Sequence, residues 1–172
     1  AAFSLRLAQR FGALSRGTRT RFALAMALSH GAELLVLDEP TTGLDPVFRR
    51  ELLDVLRSEL QDERVAIVFS THITSDLERI ADLVVVLQRG RVAAAASREE
   101  IAERWGVVRG GLELLDGDGD GAGLFRGVRR GEHGFEALTA DAAPAGRRFG
   151  ARAPVERATL DDLVLLTGGG GG

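Results

Sequence analysis

ELLVLDEPTTGLD, residues 33–45, is the stretch on which the reading of this chain turns. Leu34, Leu35, Val36 and Leu37 form a short apolar run that suits a strand buried on both faces, as in a parallel sheet. Asp38 and Glu39 stand where that run ends. Pro40 stops the strand, and Thr41, Thr42 and Gly43 make a turn. Asp45 followed by Pro46 then reads as a helix start, an N-cap with proline at the first helical position. In open α/β sheets, ligands bind just outside the carboxyl ends of the strands. Acids at that edge can hold a metal ion and position a water. Two solvated acids in a strand-to-helix loop would give the same local pattern, so the flanks must decide.

Upstream lies LSRGTRTRFALAMALSHGA, residues 14–32. Ser15 or Thr18 can cap a helix running to about Ser29, with Phe22, Ala25, Met26 and Ala27 on its apolar side. Such a helix start offers free backbone N–H groups and a partial positive charge, which favours an anion. Downstream, VFRRELLDVLRSEL makes a helix whose buried side is Leu52, Leu53, Val55, Leu56 and Leu60. Arg64 to Ser70, RVAIVFS, reads as a second fully buried strand. His72 follows it, on the same sheet edge as Asp38 and Glu39 if the two strands are parallel. A lone histidine is usually structural; one closing a buried strand beside two acids is a site candidate.

The remaining elements read in order. Residues 1–13 look like the end of a helix, with Leu5, Leu7, Ala8 and Phe11 apolar. Ser75-x-x-Glu78 is a capping box opening the helix SDLERIA. DLVVVLQ is a strand, Arg89-Gly90 a tight turn and RVAAAA its hairpin partner. A second capping box, Ser97-x-x-Glu100, starts SREEIAERW, in which Trp105 serves packing. From Val107 the composition shifts to glycine and acids, then to arginine. Asp116, Asp118, Asp120 and Gly121 imitate the opening of a calcium loop, but Gly127 holds the place of its bidentate glutamate. An acidic, glycine-rich turn between strands is the simpler reading. ATLDDLVLLT forms a terminal helix capped by Thr159, and the closing glycines are flexible by composition.

Composition sets outer bounds. The 172 residues suffice for one domain and a small appendage. A hydrophobic share of 45% and a charged share of 27% are ordinary for a globular chain. The net charge of -3 gives no reason to expect nucleic acid or an anionic membrane as direct partner. With no cysteine, disulfides, thiolate metal sites and cysteine nucleophiles are excluded. No apolar run approaches the ~18 residues of a membrane span, so direct membrane insertion is not expected. The first residues lack the apolar core and cleavage site of a secretion signal.

LSRGT at residues 14–18, LLVLDE at 34–39, Asp45 and STH at 70–72 together resemble the second half of an ABC-type ATPase domain. Signature motif, Walker B strand, D-loop and switch histidine fall in the family's order. The resemblance implies an α/β, P-loop NTPase-like parallel sheet, incomplete here, with a small C-terminal α+β appendage. It divides the chain into a truncated nucleotide-binding domain at 1–105, an accessory domain at 106–167 and a glycine tail at 168–172. The family's usual signature is LSGGQ; Arg16 and Thr18 depart from it. All 22 basic residues are arginine, so no lysine-bearing P-loop can be present, and arginine's planar fork does not replace a compact ammonium. A fragment or truncated product, inactive alone, is the expectation.

The roles that follow belong to the resemblance. Asp38 would hold Mg²⁺, Glu39 would act as general base on the attacking water, and His72 would contact the terminal phosphate of ATP. Ser15 and Gly17 would complete the nucleotide site of a second ATPase subunit, and Asp45 would belong to the D-loop linking the two sites. The partners implied are that second subunit, identical or not, and a membrane permease. The setting implied is cytoplasmic, at the inner face of the membrane, in a bacterial exporter. Two rivals stand beside this: a non-catalytic remnant acting as a regulatory or interaction module, and the ATPase head of a DNA-maintenance protein.

Overall fold

A computed structural model describes Gly12, residues 14–115 and residues 123–168. The helix expected before the signature-like stretch, the Asp116–Asp120 turn and residues 169–172 lie outside the described residues. The chain forms two compact units, Ala1–Ile80 and Ala81–Gly172.

In the first unit, helix α1 (Arg16–Leu28) leads to strand β1 (Leu34–Asp38), helix α2 (Pro46–Glu59), strand β2 (Ala66–Ser70) and helix α3 (Thr74–Ile80). Strands β1 and β2 run parallel, with Leu34 opposite Ala66 and Asp38 opposite Ser70. This register brings the ends of both strands to one rim. Leu24, Leu37, Phe48, Leu52 and Leu56 make a single buried cluster joining α1, β1 and α2. Asp45 caps α2 by accepting from the Phe48 amide, with Pro46 at the first helical position. Ser15 caps α1 by accepting from the Thr18 amide.

Two expectations need correction. Neither strand is covered on both faces. Leu35 and Leu37 are buried, while Leu34, Val36 and Val68 are 58, 70 and 55% exposed. A run of apolar residues is the mark of a strand with helices on both sides, but the described residues cover one side only. Ser75 does not cap a helix either. Helix α3 begins at Thr74, and the Ser75 hydroxyl accepts from Arg49 at 2.9 Å.

In the second unit, strands β3 (Leu83–Gln88) and β4 (Arg91–Ser97) form an antiparallel hairpin. Arg89 and Gly90 turn it with φ of 48° and 73°, the positive values that a two-residue turn matching strand twist demands. Helix α4 (Arg98–Arg104) opens with the expected box: the Ser97 hydroxyl accepts from the Glu100 amide, and Glu100 accepts from the Ser97 amide. A four-stranded antiparallel sheet follows in the order β6 (Gly127–Arg130), β7 (Phe135–Thr139), β5 (Gly106–Gly110), β8 (Val155–Arg157). Helices α5 (Ala142–Phe149) and α6 (Leu160–Gly168) pack on it. Val108, Phe135, Ala137 and Phe149 lie in its core, where the Phe125 and Phe149 rings stack 5.8 Å apart. Gly127 lets α6 approach: a Cβ there would stand 2.0 Å from the Leu166 carbonyl oxygen. Thr159 caps α6 reciprocally with Asp162.

Candidate functional site

The rim of the β1–β2 sheet collects three of the residues singled out from the sequence. Because the strands are parallel and in register, Asp38 closes β1 directly opposite Ser70, which closes β2. The Ser70 hydroxyl donates to Asp38 Oδ1, and the Glu39 amide donates to the Ser70 carbonyl at 3.0 Å. Glu39 then turns the chain with φ of 46°, a left-handed conformation that is uncommon outside glycine and concentrates at functional sites.

That turn aims the Glu39 carboxylate at the segment after β2. Oε1 lies 2.8 Å from His72 Nδ1 and accepts from the His72 amide at 3.1 Å. Oε2 accepts from the Thr42 hydroxyl at 2.7 Å. The Thr42 hydroxyl first, and His72 after it, hold the Glu39 carboxyl below its ordinary value. It is therefore ionised at neutral pH, with both oxygens engaged. The His72 side chain remains 69% exposed, so the other side of its ring faces solvent.

Asp45 takes a different set of partners. Besides capping α2, it pairs with Arg21 of α1 at 2.9 Å, and the Phe48 amide and Arg21 keep its carboxyl below the ordinary value. The Arg21 guanidinium also lies over the Phe48 ring, 4.1 Å from its centroid. Ser15 and Gly17 belong to the N-terminal turn of α1, Ser15 as its cap. Asp38, Glu39 and His72 are thus brought together; Asp45 is bound to the signature-like helix, and Ser15 and Gly17 mark that helix's start.

Sequence reasoning missed two features. One is Phe48, buried among the leucines of α2 and 1% exposed. The other is a polar cluster behind the rim, in which Asp76 accepts from Thr41 and Arg49. The spacing of Arg49 after Asp45 gave no signal for the latter, because its partner lies 27 residues on.

Asp38 fits a magnesium site in chemistry. It is a hard carboxylate at a strand end with a hydroxyl beside it, and Mg²⁺ is commonly held by one or two carboxylates with phosphate oxygens and water completing the shell. Among the described residues, no group of three or more His, Cys, Asp or Glu side chains gathers in metal-binding geometry.

These features define an α/β unit with two acids and a histidine at one rim of a parallel sheet, and comparison with known proteins narrows the class. Residues 5–75 match the family model described as "AAA domain, putative AbiEii toxin, Type IV TA system". The chain is 38% identical over 96 residues to the "Uncharacterized ABC transporter ATP-binding protein YxlF" of Bacillus subtilis, covering 56% of this chain and 32% of that protein. Its identity to the "Energy-coupling factor transporter ATP-binding protein EcfA2" of Enterococcus faecalis is 39% over 88 residues, or 51% of this chain and 30% of that protein. A longer match, 36% identical, joins 94% of this chain to 45% of the "Spermidine/putrescine import ATP-binding protein PotA 1" of Pseudomonas aeruginosa. Among solved structures, "Structure of ATP binding subunit of ABC transporter" aligns with a TM-score of 0.52 and 31% identity, covering 56% of this chain and 40% of that one. Over these stretches the chain is similar to part of the ATP-binding proteins of ABC transporters. It spans about a third to a half of the length of these relatives.

Proposed function

We propose that this chain supplies the signature, Walker B, D-loop and switch-histidine portion of an ATP-hydrolysing subunit of a bacterial exporter-type ABC transporter. The observation that carries the proposal is the Glu39–His72 pair, held at one rim of a parallel sheet beside Asp38. Under this reading the boundaries are 1–105 for the nucleotide-binding portion and 106–167 for an accessory domain.

Phosphoryl transfer to water asks the protein for positioning and electrostatics, with little covalent chemistry. Asp38 would hold Mg²⁺, which when bound neutralises charge on the phosphate oxygens. The Glu39 carboxylate, ionised and anchored by Thr42 and His72, accepts a proton from the attacking water. The exposed side of the His72 ring donates toward the terminal phosphate. Ser15 and Gly17, at the positive end of α1, take the phosphate of a nucleotide bound to a second subunit. Asp45, pinned to α1 by Arg21, relates one site to the other through the subunit contact. A membrane permease would receive the closing and opening of that dimer. Among the described residues no helix is long and apolar enough to cross a membrane.

Replacing Glu39 with Gln, in a polypeptide that supplies a P-loop, should abolish steady-state ATP turnover while leaving nucleotide bound. Turnover equal to the parent's would overturn the assignment. The 172-residue chain alone, having no lysine to reach the terminal phosphates, should release no phosphate from MgATP. Magnesium-dependent release by the purified chain would contradict that.

A further inference from the structure

We propose that Asp76 is a positioning residue that anchors the turn carrying Glu39, through Thr41 and against Arg49. The geometry draws three segments distant in sequence onto one carboxylate. Oδ2 accepts from the Thr41 hydroxyl at 2.7 Å, and Oδ1 accepts from Arg49 Nε at 2.7 Å. Thr41 and Asp76 are each 1% exposed. Arg49, on the first turns of α2, also donates to Ser75 at 2.9 Å, so α2, α3 and the turn meet at one point.

A buried carboxylate paired with arginine adds little stability over well-packed apolar residues, since desolvation offsets most of the attraction. What such a pair does supply is direction. Thr41 sits between the two residues whose side chains touch at the rim, Glu39 and Thr42. Its carbonyl accepts from the Leu44 amide at 3.2 Å, and the Thr42 amide donates to the Glu39 carbonyl at 3.2 Å. Fixing the Thr41 side chain therefore fixes the turn on either side of it. The left-handed backbone at Glu39 needs such over-determination, because a glutamate relaxes out of that conformation when its surroundings allow. Asp76 acts on Glu39 only through this turn, and touches neither the water nor the phosphate in the reading above.

The proposal rests on that reading for its catalytic consequence, while its structural content is testable in the chain itself. Amide hydrogen exchange would be followed in the 172-residue protein and in Thr41→Val, Thr41→Ser and Asp76→Asn. Thr41→Val keeps shape and removes the donated hydrogen bond. It should speed exchange at Thr42 and Leu44 by about tenfold, with Leu53 and Leu56 in the middle of α2 unchanged. Thr41→Ser should retain protection, and Asp76→Asn should follow Thr41→Val. Uniform acceleration across α2 and the turn, or none at either, overturns the proposal. In a P-loop-bearing subunit, Thr41→Val should lower kcat about tenfold with the KM for ATP little changed. A kcat equal to that of an active parent overturns the proposal. A parent with no ATPase activity overturns the ATPase reading instead, and the exchange result then decides the anchor by itself.

Discussion

Glu136 shows how a single carboxylate couples this chain to pH. Arg109 first, then Arg129, hold it below the ordinary glutamate value. Arg109 donates to it through Nε at 2.9 Å, and pairs as well with Glu156 and Asp162. A carboxyl depressed on folding contributes stability that is complete above the ordinary glutamate range. That stability is lost as pH falls through the lower, folded value. Glu136→Gln should therefore lower the thermal midpoint at neutral pH, and the two proteins should converge as the pH is brought below that range. A constant gap between them at every pH would show that packing, and not ionisation, is what Glu136 contributes. At the rim, the residue scale was largely legible beforehand. Asp38 and Glu39 close one apolar run and His72 follows the next within three residues, so parallel strands suffice to bring them to one rim. Asp76 and Thr41 were not legible, because a buried polar pair depends on which surfaces meet in three dimensions.

At the scale of elements, the caps and turns were written in local sequence. Ser97 with Glu100, Thr159 with Asp162 and Asp45 with Pro46 form as their residue types demand, and Gly90 suits the positive φ of the hairpin turn. Each depends on groups within a few positions of one another. Strand burial was misread, because an apolar run states what a strand wants covered and not what covers it. Among the described residues the first sheet has two strands, each with an unpaired edge, and Leu34, Val36 and Val68 lie exposed on it. Such edges and faces invite association. Val36→Thr combined with Val68→Thr keeps β-branched residues in place while removing apolar surface. Light scattering of concentrated protein should fall in the double variant, with the thermal midpoint nearly unchanged. Scattering equal to the parent's would show that this face does not drive association.

At the scale of the molecule, the account joins a local geometry to the work of an assembly. The four stretches that resemble an ABC ATPase lie within 1–105, and the relatives at 36 to 39% identity extend well beyond the length of this chain. The resemblance was readable because acids, turn and histidine keep the family's order. One measurement tests the central claim, that the Glu39–His72 pair works as a unit, Glu39 on the attacking water and His72 on the terminal phosphate. Single-turnover ATP hydrolysis would be compared for Glu39→Gln, His72→Ala and the double variant, in a P-loop-bearing polypeptide. Groups that act as a unit lose their effect together. The account predicts a double variant no slower than the slower single variant. Rate losses that multiply, as for two independent sites, would contradict it.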